Sequence, residues 1–291
     1  MSAAMTSDRK IALVTGATAG IGQVAARELV RQGYRVGVVG RNPAKCRATA
    51  EQICQEVPGS LVDTFVADLS SQAEVRRLAD EVRAAYPRLD VLLNNAGAMY
   101  TPRQETGDGI ERTWALNHLA YFLLTNLLLD LLDAAPAGRV VSVASDAHKF
   151  YPTIRFRDIE WRRGYNAWQV YGHSKLANIL FTRELARRLK EAGSPVTANC
   201  VHPGIVQTDF MNGRGAMFWF SRHLSNLFAI SPERGADTAV WLATAPEVAT
   251  VSGEFFAKRK PHWRTPAARN DRTARRLWDV SEAMTGEPAR V

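Results

Sequence analysis

The amino-acid sequence predicts an α/β protein built on a doubly wound parallel sheet with helices on both faces. Short β-branched runs alternate with longer segments of helical periodicity along most of the chain, as is typical of parallel sheets. Hydrophobic residues make up 46% and charged residues 23% of the 291 residues, which excludes a disordered or fibrous chain. Because no linker or repeat divides the sequence, we expect a single domain over residues 1–291.

Four strands and three helices are predicted in the first third of the chain. The strands are apolar, β-branched runs, and the helices carry apolar residues at intervals of three and four. The predicted strands cover residues 10–15, 34–39, 60–67 and 89–93. The first helix covers residues 20–32, the second begins at Pro43, and the third begins near Ser71, where Asp68 can cap it.

The rest of the chain continues the alternation with longer helices. The predicted helices cover residues 109–134 and 170–191, and the predicted strands cover residues 139–144, 195–201 and 254–256. Two segments outside this pattern, residues 146–170 and 207–231, are interpreted as insertions that form the substrate region. Residues 258–291 are interpreted as a basic C-terminal extension.

The net charge of +8, from 37 basic and 29 acidic residues, is unevenly distributed. Residues 253–291 hold nine Lys and Arg residues against five acidic residues, which accounts for half of the excess. The body of the chain is therefore only mildly basic, and a short basic segment is more often a solvated surface than a DNA site. We do not expect a nucleic-acid partner.

The cysteines and the apolar runs indicate the compartment. Three cysteines without a CxxC pair or a suitably spaced histidine argue against a disulfide scaffold and a metal site. The first ten residues have no apolar core of the kind that a signal peptide needs. The most apolar run is interrupted by Asn117, His118, Asn126 and Asp130, so we expect no transmembrane segment. These features favour a soluble, cytoplasmic protein.

The segment TGATAGIG at residues 15–22 joins the first predicted strand to the first helix. Gly16, Gly20 and Gly22 allow a tight reversal and a close approach of backbone N–H groups to a phosphate. The following helix adds the positive end of its dipole. An ordinary strand-to-helix turn is the alternative, but the position directly after the first strand favours nucleotide binding by a Rossmann-type sheet.

The end of the second predicted strand indicates which nucleotide is bound. An acidic residue there would bind the adenosine ribose of NAD, but this sequence has Arg41 and Asn42. Arg41 can pair with the 2′-phosphate of NADP through two charge-assisted hydrogen bonds. A plain surface arginine is the alternative interpretation. The missing acid favours NADP (as NADPH), with NAD as the second choice.

Tyr171 and Lys175 are four residues apart in the helical segment YGHSK, so their side chains leave the same face. A tyrosine with its ordinary pKa near 10 is a poor acid–base catalyst at neutral pH. Lowering that pKa by about three units requires roughly 4 kcal/mol, and one positive charge at ~4 Å supplies a similar amount at an effective dielectric near 20. We therefore expect Lys175 to lower the pKa of Tyr171.

Ser145 and Asn117 are two further candidates for the site. Ser145 follows a predicted strand, at the carboxyl edge where doubly wound sheets bind ligands, and its hydroxyl can donate to a substrate carbonyl. Asn117 is predicted in the middle of a helix, an unfavourable place for asparagine. A buried capping or water-holding role would explain it, and an ordinary polar face residue is the alternative.

Five motifs together resemble the short-chain dehydrogenase/reductase superfamily. They are TGATAGIG at 15–22, NNAG at 94–97, Ser145, YGHSK at 171–175 and HPGIVQT at 202–208. All five follow the order of that family and roughly its spacing over residues 10–208. Residues 177–189 and 275–286, and the 26-residue gap between Ser145 and Tyr171, resemble the retinol-dehydrogenase-like and WW-domain-oxidoreductase-like members.

The resemblance implies an enzyme that interconverts a carbonyl and an alcohol by hydride transfer with a nicotinamide cofactor. It implies that Tyr171 is the acid/base and that Lys175 binds the nicotinamide ribose. It also implies that Ser145 polarises the carbonyl and that Asn117 holds a relay water. The cofactor-binding residues are expected to be Gly16, Thr18, Ala19, Gly20, Ile21, Gly22, Arg41, Asn42, Asp68, Leu69, Asn95, Ala96, Gly97, Tyr171, Lys175, Pro203, Gly204, Val206 and Thr208.

Aromatic and Met residues in the two insertions favour an apolar substrate of lipid-like, aromatic or polycyclic type, with a dimer surface or membrane contact as the alternative. The pocket is expected to include Met99, His148, Tyr151, Phe210, Met211 and Met217.

Helices 109–134 and 170–191 resemble the pair through which family members form dimers or tetramers, so we expect a homo-oligomer. A dinucleotide-sensing binding protein without turnover is the alternative function, although the complete set of four catalytic candidates favours an enzyme.

Overall fold

The computed structural model describes residues 9–150, 153–204 and 230–288, together with the backbone of residues 211–212. Its strands are β1 (Ile11–Thr15), β2 (Arg35–Gly40), β3 (Val62–Val66), β4 (Val91–Asn94), β5 (Met99–Tyr100), β6 (Arg139–Val143), β7 (Thr197–Val201), β8 (Met211–Asn212), β9 (Phe255–Ala257) and β10 (Lys260–Pro261). Eight of them form one sheet in the order β10-β9-β7-β6-β4-β1-β2-β3, and β5 pairs with β8 in a second, two-stranded sheet. Within the large sheet only β9 and β10 pair in antiparallel fashion.

Helices cover both faces of this sheet. They are α1 (Gly20–Arg31), α2 (Pro43–Glu56), α3 (Gln72–Ala85), α4 (Arg112–Trp114), α5 (Ala120–Leu127), α6 (Leu129–Asp133), α7 (Ala167–Glu191), α8 (Pro232–Thr244) and α9 (Asp271–Thr285). One apolar cluster joins the sheet to α3, α5 and α7, and another joins it to α1 and α8. The predicted class, a Rossmann-type doubly wound parallel sheet, is confirmed.

The strand order places the carboxyl ends of β1 and β4 at the centre of the sheet. The chain winds outward from β1 through β2 to β3 and then crosses to β4 on the opposite side of β1. In open α/β sheets, ligands bind in the crevice at such a switch of direction. The loops after β1, β4, β6 and β7 therefore border one common cleft.

The predicted helix over residues 109–134 is interrupted in the structure. A π-helical turn at Ala115–Leu119 follows α4, and Leu128 separates α5 from α6 with a φ of −98°. All residues of α5 are buried, so the periodicity of apolar residues carries little information about where the helix breaks. At the π-helical turn, the backbone of Ala98 provides hydrogen-bond partners for Asn117, a contact from outside the helix.

The prediction that Asp68 caps the third helix is wrong. Ser71 directly precedes α3 and its hydroxyl accepts a hydrogen bond from the backbone N–H of Glu74. Asp68 lies too far before the first helical residue, and its carboxylate instead accepts hydrogen bonds from the backbone N–H and the hydroxyl of Ser70.

The basic C-terminal extension is not a solvated tail. Its helix α9 buries one face, which includes Leu277 and Trp278, and exposes Arg272, Arg275 and Arg276 on the other. The Trp278 ring lies 5.0 Å from Phe122 and 5.8 Å from Phe181 between ring centroids. These three arginines therefore mark the outer face of an amphipathic helix whose inner face belongs to the apolar core.

Within the described part of the chain, no helix is both long enough and apolar enough to cross a membrane.

Candidate active site

The loop after β1 folds so tightly that it requires glycine. Gly16 and Gly20 have φ values of +63° and +54°, in the left-handed region that side chains disfavour. A Cβ on Gly16 would lie 2.8 Å from the Cα of Ala96, and a Cβ on Gly22 would lie 2.3 Å from the carbonyl oxygen of Gly16. These short distances explain why glycine occupies both positions. Without a Cβ, the loop can pack directly against the residues that follow β4.

The start of α1 differs from the starts of the other long helices. Ala19 precedes α1 in an extended conformation and, among the described residues, provides no side-chain cap; the first turn carries no acidic residue. The side chains that cap α2, α3, α7, α8 and α9 belong to Asn42, Ser71, Asn166, Ser231 and Asn270. Unpaired N–H groups and a positive dipole end fit an anionic pyrophosphate, so this loop suits a dinucleotide.

Thr15 and Asn95 hold the glycine loop against β4. The Thr15 hydroxyl accepts hydrogen bonds from the backbone N–H groups of Asn95 (2.8 Å) and Ala96 (3.0 Å). The Asn95 amide donates to the carbonyl of Thr15 at 2.9 Å and to that of Gly16 at 3.3 Å. Sequence reasoning did not assign a role to Thr15. Its position as the last residue of a buried strand, before the first glycine, was the available signal.

The adenosine end of the expected site lies beyond β2 and β3. Arg41 is exposed, and no hydrogen bond or ion pair of its side chain is found within the described residues. The side-chain oxygen of Asn42 caps α2 by accepting a hydrogen bond from the backbone N–H of Lys45. Burial raises the pKa of Asp68, but hydrogen bonds from Ser70 and the charges of Arg112 and Arg41 outweigh it and lower that pKa.

Two further residues complete this end of the site. Arg112 lies 3.6 Å from the Asp68 carboxylate and was not predicted as a site residue. Leu69 is 6% exposed and packs into the apolar cluster beneath the loop.

Ser145, Tyr171 and Lys175 meet at the carboxyl edge of β6. Ser145 follows the end of the strand by two residues, and its hydroxyl is hydrogen-bonded to the phenol of Tyr171. The ammonium nitrogen of Lys175 lies 5.6 Å from the centroid of the Tyr171 ring. The expectation that Tyr171 and Lys175 share one face of a helix agrees with this geometry.

Lys175 is almost fully enclosed. Its side chain is 2% exposed, and its ammonium donates a 2.9 Å hydrogen bond to the carbonyl of Val143. The ring centroids of Tyr171 and Tyr121 lie 5.6 and 5.7 Å from the ammonium nitrogen. Burial lowers the pKa of Lys175 to about 7, because the charged form loses hydration that one carbonyl does not replace.

The expected lowering of the Tyr171 pKa is not found. Burial raises the pKa of Tyr171 to about 12, and the hydrogen bond with Ser145 offsets this only in part. The sequence argument treated Lys175 as a permanent charge in a medium of uniform dielectric. In the structure the same burial that surrounds the phenol also disfavours the ammonium, so both groups shift toward their neutral forms.

Asn117 is buried, and its side chain is fully used by the protein. Its oxygen accepts from the N–H of Ala98 at 2.9 Å, and its nitrogen donates to the carbonyl of Ala98 and to the hydroxyl of Ser174. A Cβ on Gly97 would lie 3.2 Å from the Asn117 oxygen and 3.6 Å from the Lys175 nitrogen. Of the two interpretations of Asn117, the buried role is the one that fits.

Part of the expected substrate pocket can be located. Met99 and His148 are both fully buried, and His148 is hydrogen-bonded at 2.8 Å to the carbonyl of Ser145. The backbone of Met211 pairs with Met99 in the small sheet. Pro203 and Gly204 follow β7, where Gly204 has a φ of +93°. Outside the described residues lie Tyr151, Val206, Thr208, Phe210 and Met217.

No group of three or more His, Cys, Asp or Glu side chains among the described residues could hold a metal ion. The Asp146 carboxylate contacts His202, His262 and Lys149 instead. Lys149 takes part in this cluster as an ion-pair partner 2.8 Å from Asp146.

A cradle for a dinucleotide beside a serine–tyrosine–lysine cluster, on this sheet, defines a short-chain dehydrogenase. The family model described as short chain dehydrogenase matches residues 10–217, and the chain belongs to this family of oxidoreductases.

Within the family, the chain belongs to the retinol-dehydrogenase-like branch. It is 43% identical to Retinol dehydrogenase 14 of Mus musculus, over 95% of this chain and 86% of that protein. It is 41% identical to Retinol dehydrogenase 12 of Bos taurus with the same coverage of both chains. The resemblance inferred from the motifs is confirmed for this branch.

Solved structures support the same assignment. A crystal structure of an uncharacterized protein from Mycobacterium Paratuberculosis superimposes with a TM-score of 0.79 at 35% identity, covering 98% of this chain and 96% of that one. A short chain dehydrogenase from Burkholderia cenocepacia in complex with NADP has a TM-score of 0.67 at 27% identity, covering 85% of this chain and 95% of that one.

Proposed function

We propose that the protein is an NADP-dependent oxidoreductase that interconverts a carbonyl and an alcohol on an apolar substrate, with Tyr171 as the acid/base. The observation that carries this proposal is the cluster at the edge of β6. There the Ser145 hydroxyl is bonded to the Tyr171 phenol, and the Lys175 ammonium lies 5.6 Å from the phenol ring. The glycine loop after β1 borders the same cleft and fits a pyrophosphate.

The protein side chains supply the proton transfer and the orientation. A bound nicotinamide supplies or accepts the hydride. In the direction of reduction, Tyr171 donates its phenolic proton to the carbonyl oxygen, and Ser145 donates a hydrogen bond to the same oxygen. Burial raises the pKa of Tyr171 to about 12, so the phenol carries its proton at neutral pH but is a weaker acid than an ordinary tyrosine. Lys175, whose pKa is about 7, would bind the ribose hydroxyls of the nicotinamide half and lies beside the phenol.

NADP is proposed over NAD because Arg41 is exposed at the end of β2 and no acidic residue accompanies it there. The solved relative from Burkholderia cenocepacia binds NADP, which is consistent with this choice.

The names of the retinol dehydrogenases to which this chain is similar support an extended, apolar alcohol or aldehyde as the substrate. A cytoplasmic, single-domain homodimer or homotetramer completes the proposal, and light scattering after gel filtration tests the oligomeric state.

The decisive experiment follows absorbance at 340 nm with a panel of carbonyls and alcohols and with both cofactors. Long-chain, aromatic or polycyclic carbonyls are expected to react faster with NADPH than acetaldehyde does. Tyr171→Phe is expected to abolish turnover while NADPH binding stays near that of the wild type, because the ring remains and only the proton donor is lost. Binding of NADPH without turnover of any compound would contradict the proposal and support the dinucleotide-sensing alternative.

A further inference from the structure

A buried asparagine shares a hydrogen-bond acceptor with the catalytic lysine. Asn178 lies three residues after Lys175 on α7 and is 0% exposed. Its amide nitrogen donates to the carbonyl of Asn117 at 2.9 Å and to the carbonyl of Val143 at 3.3 Å. The Lys175 ammonium donates to the same Val143 carbonyl at 2.9 Å. The Asn178 amide therefore links the π-helical turn to Val143 at the end of β6, the residue whose carbonyl also accepts from Lys175.

The orientation of this amide can be deduced from its partners. Because two carbonyls accept from its nitrogen, the Asn178 oxygen faces the other way, 3.3 Å from Nδ1 of His118. Burial lowers the pKa of His118 to about 4, so the ring is neutral at neutral pH and Nδ1 carries its proton. The remaining nitrogen, Nε2, then accepts from the hydroxyl of Ser281 at 3.0 Å.

Ser281 brings α9 into this network. Its hydroxyl also lies 2.8 Å from the carbonyl of Leu277, so its one proton is shared between the His118 nitrogen and that carbonyl. The chain of contacts runs from α9 through His118 and Asn178 to the two carbonyls beside Lys175. All of the linking side chains are 0% exposed, so water does not compete with these hydrogen bonds.

We propose that Asn178 is a positioning residue for the Lys175 ammonium, and that His118 and Ser281 hold its amide in the orientation this requires. The inference rests on the proposed function, because it concerns the same catalytic lysine. The α9 helix thereby supports the site although it lies outside the glycine loop and the catalytic motifs. Lys175 itself contacts the rings of Tyr171 and Tyr121, which are the titratable groups facing it.

The first test uses the isosteric variant Asn178→Asp. A carboxylate oxygen in place of the amide nitrogen repels both carbonyls and attracts the ammonium. We expect kcat to fall about tenfold or more, as a small misplacement of a catalytic group does. Asn126→Asp is the matched control, because Asn126 is also a buried asparagine whose amide donates to a helix carbonyl, that of Phe122. Its kcat is expected to stay near that of the wild type.

The second test changes Ser281, the residue of the network farthest from Lys175. Its substitution by alanine introduces no buried charge and is expected to disturb the fold less than Asn178→Asp. Ser281→Ala is expected to lower kcat about fivefold, the effect of one lost hydrogen bond. Thr285→Val is its control, because the Thr285 hydroxyl lies one turn further on α9, is buried, and donates to α9 carbonyls. Equal losses in Ser281→Ala and Thr285→Val would overturn the proposal in favour of general destabilisation.

A readout independent of turnover separates this inference from the proposed function. In ¹⁵N-lysine-labelled protein, the side-chain signal of Lys175, identified by its absence in Lys175→Arg, reports the pH at which the ammonium titrates. Asn178→Asp is expected to raise the pH midpoint of the Lys175 titration, and Ser281→Ala is expected to change it. The control variants Asn126→Asp and Thr285→Val are expected to leave this midpoint unchanged. An unmoved midpoint in both variants would overturn the inference. A wild type without turnover would overturn the proposed function, and the midpoint would still decide the role of Asn178.

Discussion

Burial decides the protonation of the catalytic pair at the scale of single residues. Tyr171 has a pKa of about 12 and keeps its proton at neutral pH, whereas Lys175 has a pKa of about 7 and is only partly charged there. Both shifts have the same main cause, the loss of hydration around the charged form. At neutral pH the phenol is therefore protonated, and the lysine ammonium is destabilised by its burial.

Replacing this lysine is expected to stabilise the folded protein. The ordinary lysine pKa of 10.5 falls to about 7 in the folded state, so the unfolded chain binds more protons between these values and stability rises with pH across that window. Lys175→Met removes the penalty, and its gain in melting temperature is expected to be largest at pH 7 or below. Thermal unfolding of both proteins from pH 6 to 10.5 measures this; a constant difference over the whole range would contradict the cause.

Arg41 carries the prediction of cofactor preference. Arg41→Asp removes a cation that can bind a 2′-phosphate and adds a carboxylate that can bind ribose hydroxyls. The ratio of kcat/KM for NADPH to that for NADH is expected to fall about tenfold or more, because hydrogen bonds between charged groups are lost. Arg47→Asp is the control, since Arg47 is exposed on α2 and makes the same change of charge. An unchanged ratio in Arg41→Asp would assign the preference to another residue.

At the scale of elements, the turns around the cleft carry the function. The β1–α1 loop is held by Thr15 and Asn95, and the π-helical turn presents the carbonyl of Asn117 to Asn178. The ordinary helix and strand geometry on either side is set by local periodicity. The loop conformation depends in addition on close contacts with β4, which lies many residues away in sequence.

Gly22→Ala tests the close packing within the β1–α1 loop and against Asn95. The new Cβ would lie 2.3 Å from the Gly16 carbonyl oxygen and 2.5 Å from the Asn95 amide nitrogen, so the loop must shift. The affinity for NADPH is expected to fall about tenfold or more, since backbone N–H groups lose their alignment with the phosphates. Gly107→Ala, where no atom lies within 4 Å of the new Cβ, is the control in a fluorescence titration. Equal affinities of the two variants would contradict the cradle.

At the scale of the whole molecule, the C-terminal residues belong to the core. Trp278 is 1% exposed and packs against the rings of Phe122 and Phe181, and Arg188 lies over its ring at 4.5 Å. Helix α9 thus contacts α7, which carries Lys175, and α5, which carries Tyr121 beside that lysine. Of the nine basic residues counted over residues 253–291, Arg272, Arg275 and Arg276 lie on the solvent side of this helix.

Trp278→Ala is expected to lower the free energy of unfolding by about 3–5 kcal/mol, because it leaves a large cavity among aromatic rings. Trp263→Ala is the control, since Trp263 is 55% exposed and its removal opens no cavity. Denaturation in urea measures both. If the two variants lost similar stability, α9 would not be part of the cooperative core.

Much of the fold and the site follows from local sequence. The strands β1, β2, β4, β6 and β7 are predicted to within about two residues at most of their ends, because each is a short apolar run between breakers. The glycine loop and the pairing of Tyr171 with Lys175 also depend on short spacings. In contrast, α8 and α9 were not predicted, because their helical patterns are mixed with basic and small residues.

The sequence by itself determined the class of sheet, the glycine loop and the spacing of Tyr171 and Lys175 on one helix face, because these depend on periodicity and on motifs a few residues long. Only the tertiary structure decided the pKa values of Tyr171 and Lys175, since burial is a property of residues brought together from the whole chain. It also decided the contact between His118 and Ser281, which are 163 residues apart. No local pattern encodes a contact over such a separation, and the packing of α9 against the π-helical turn creates it.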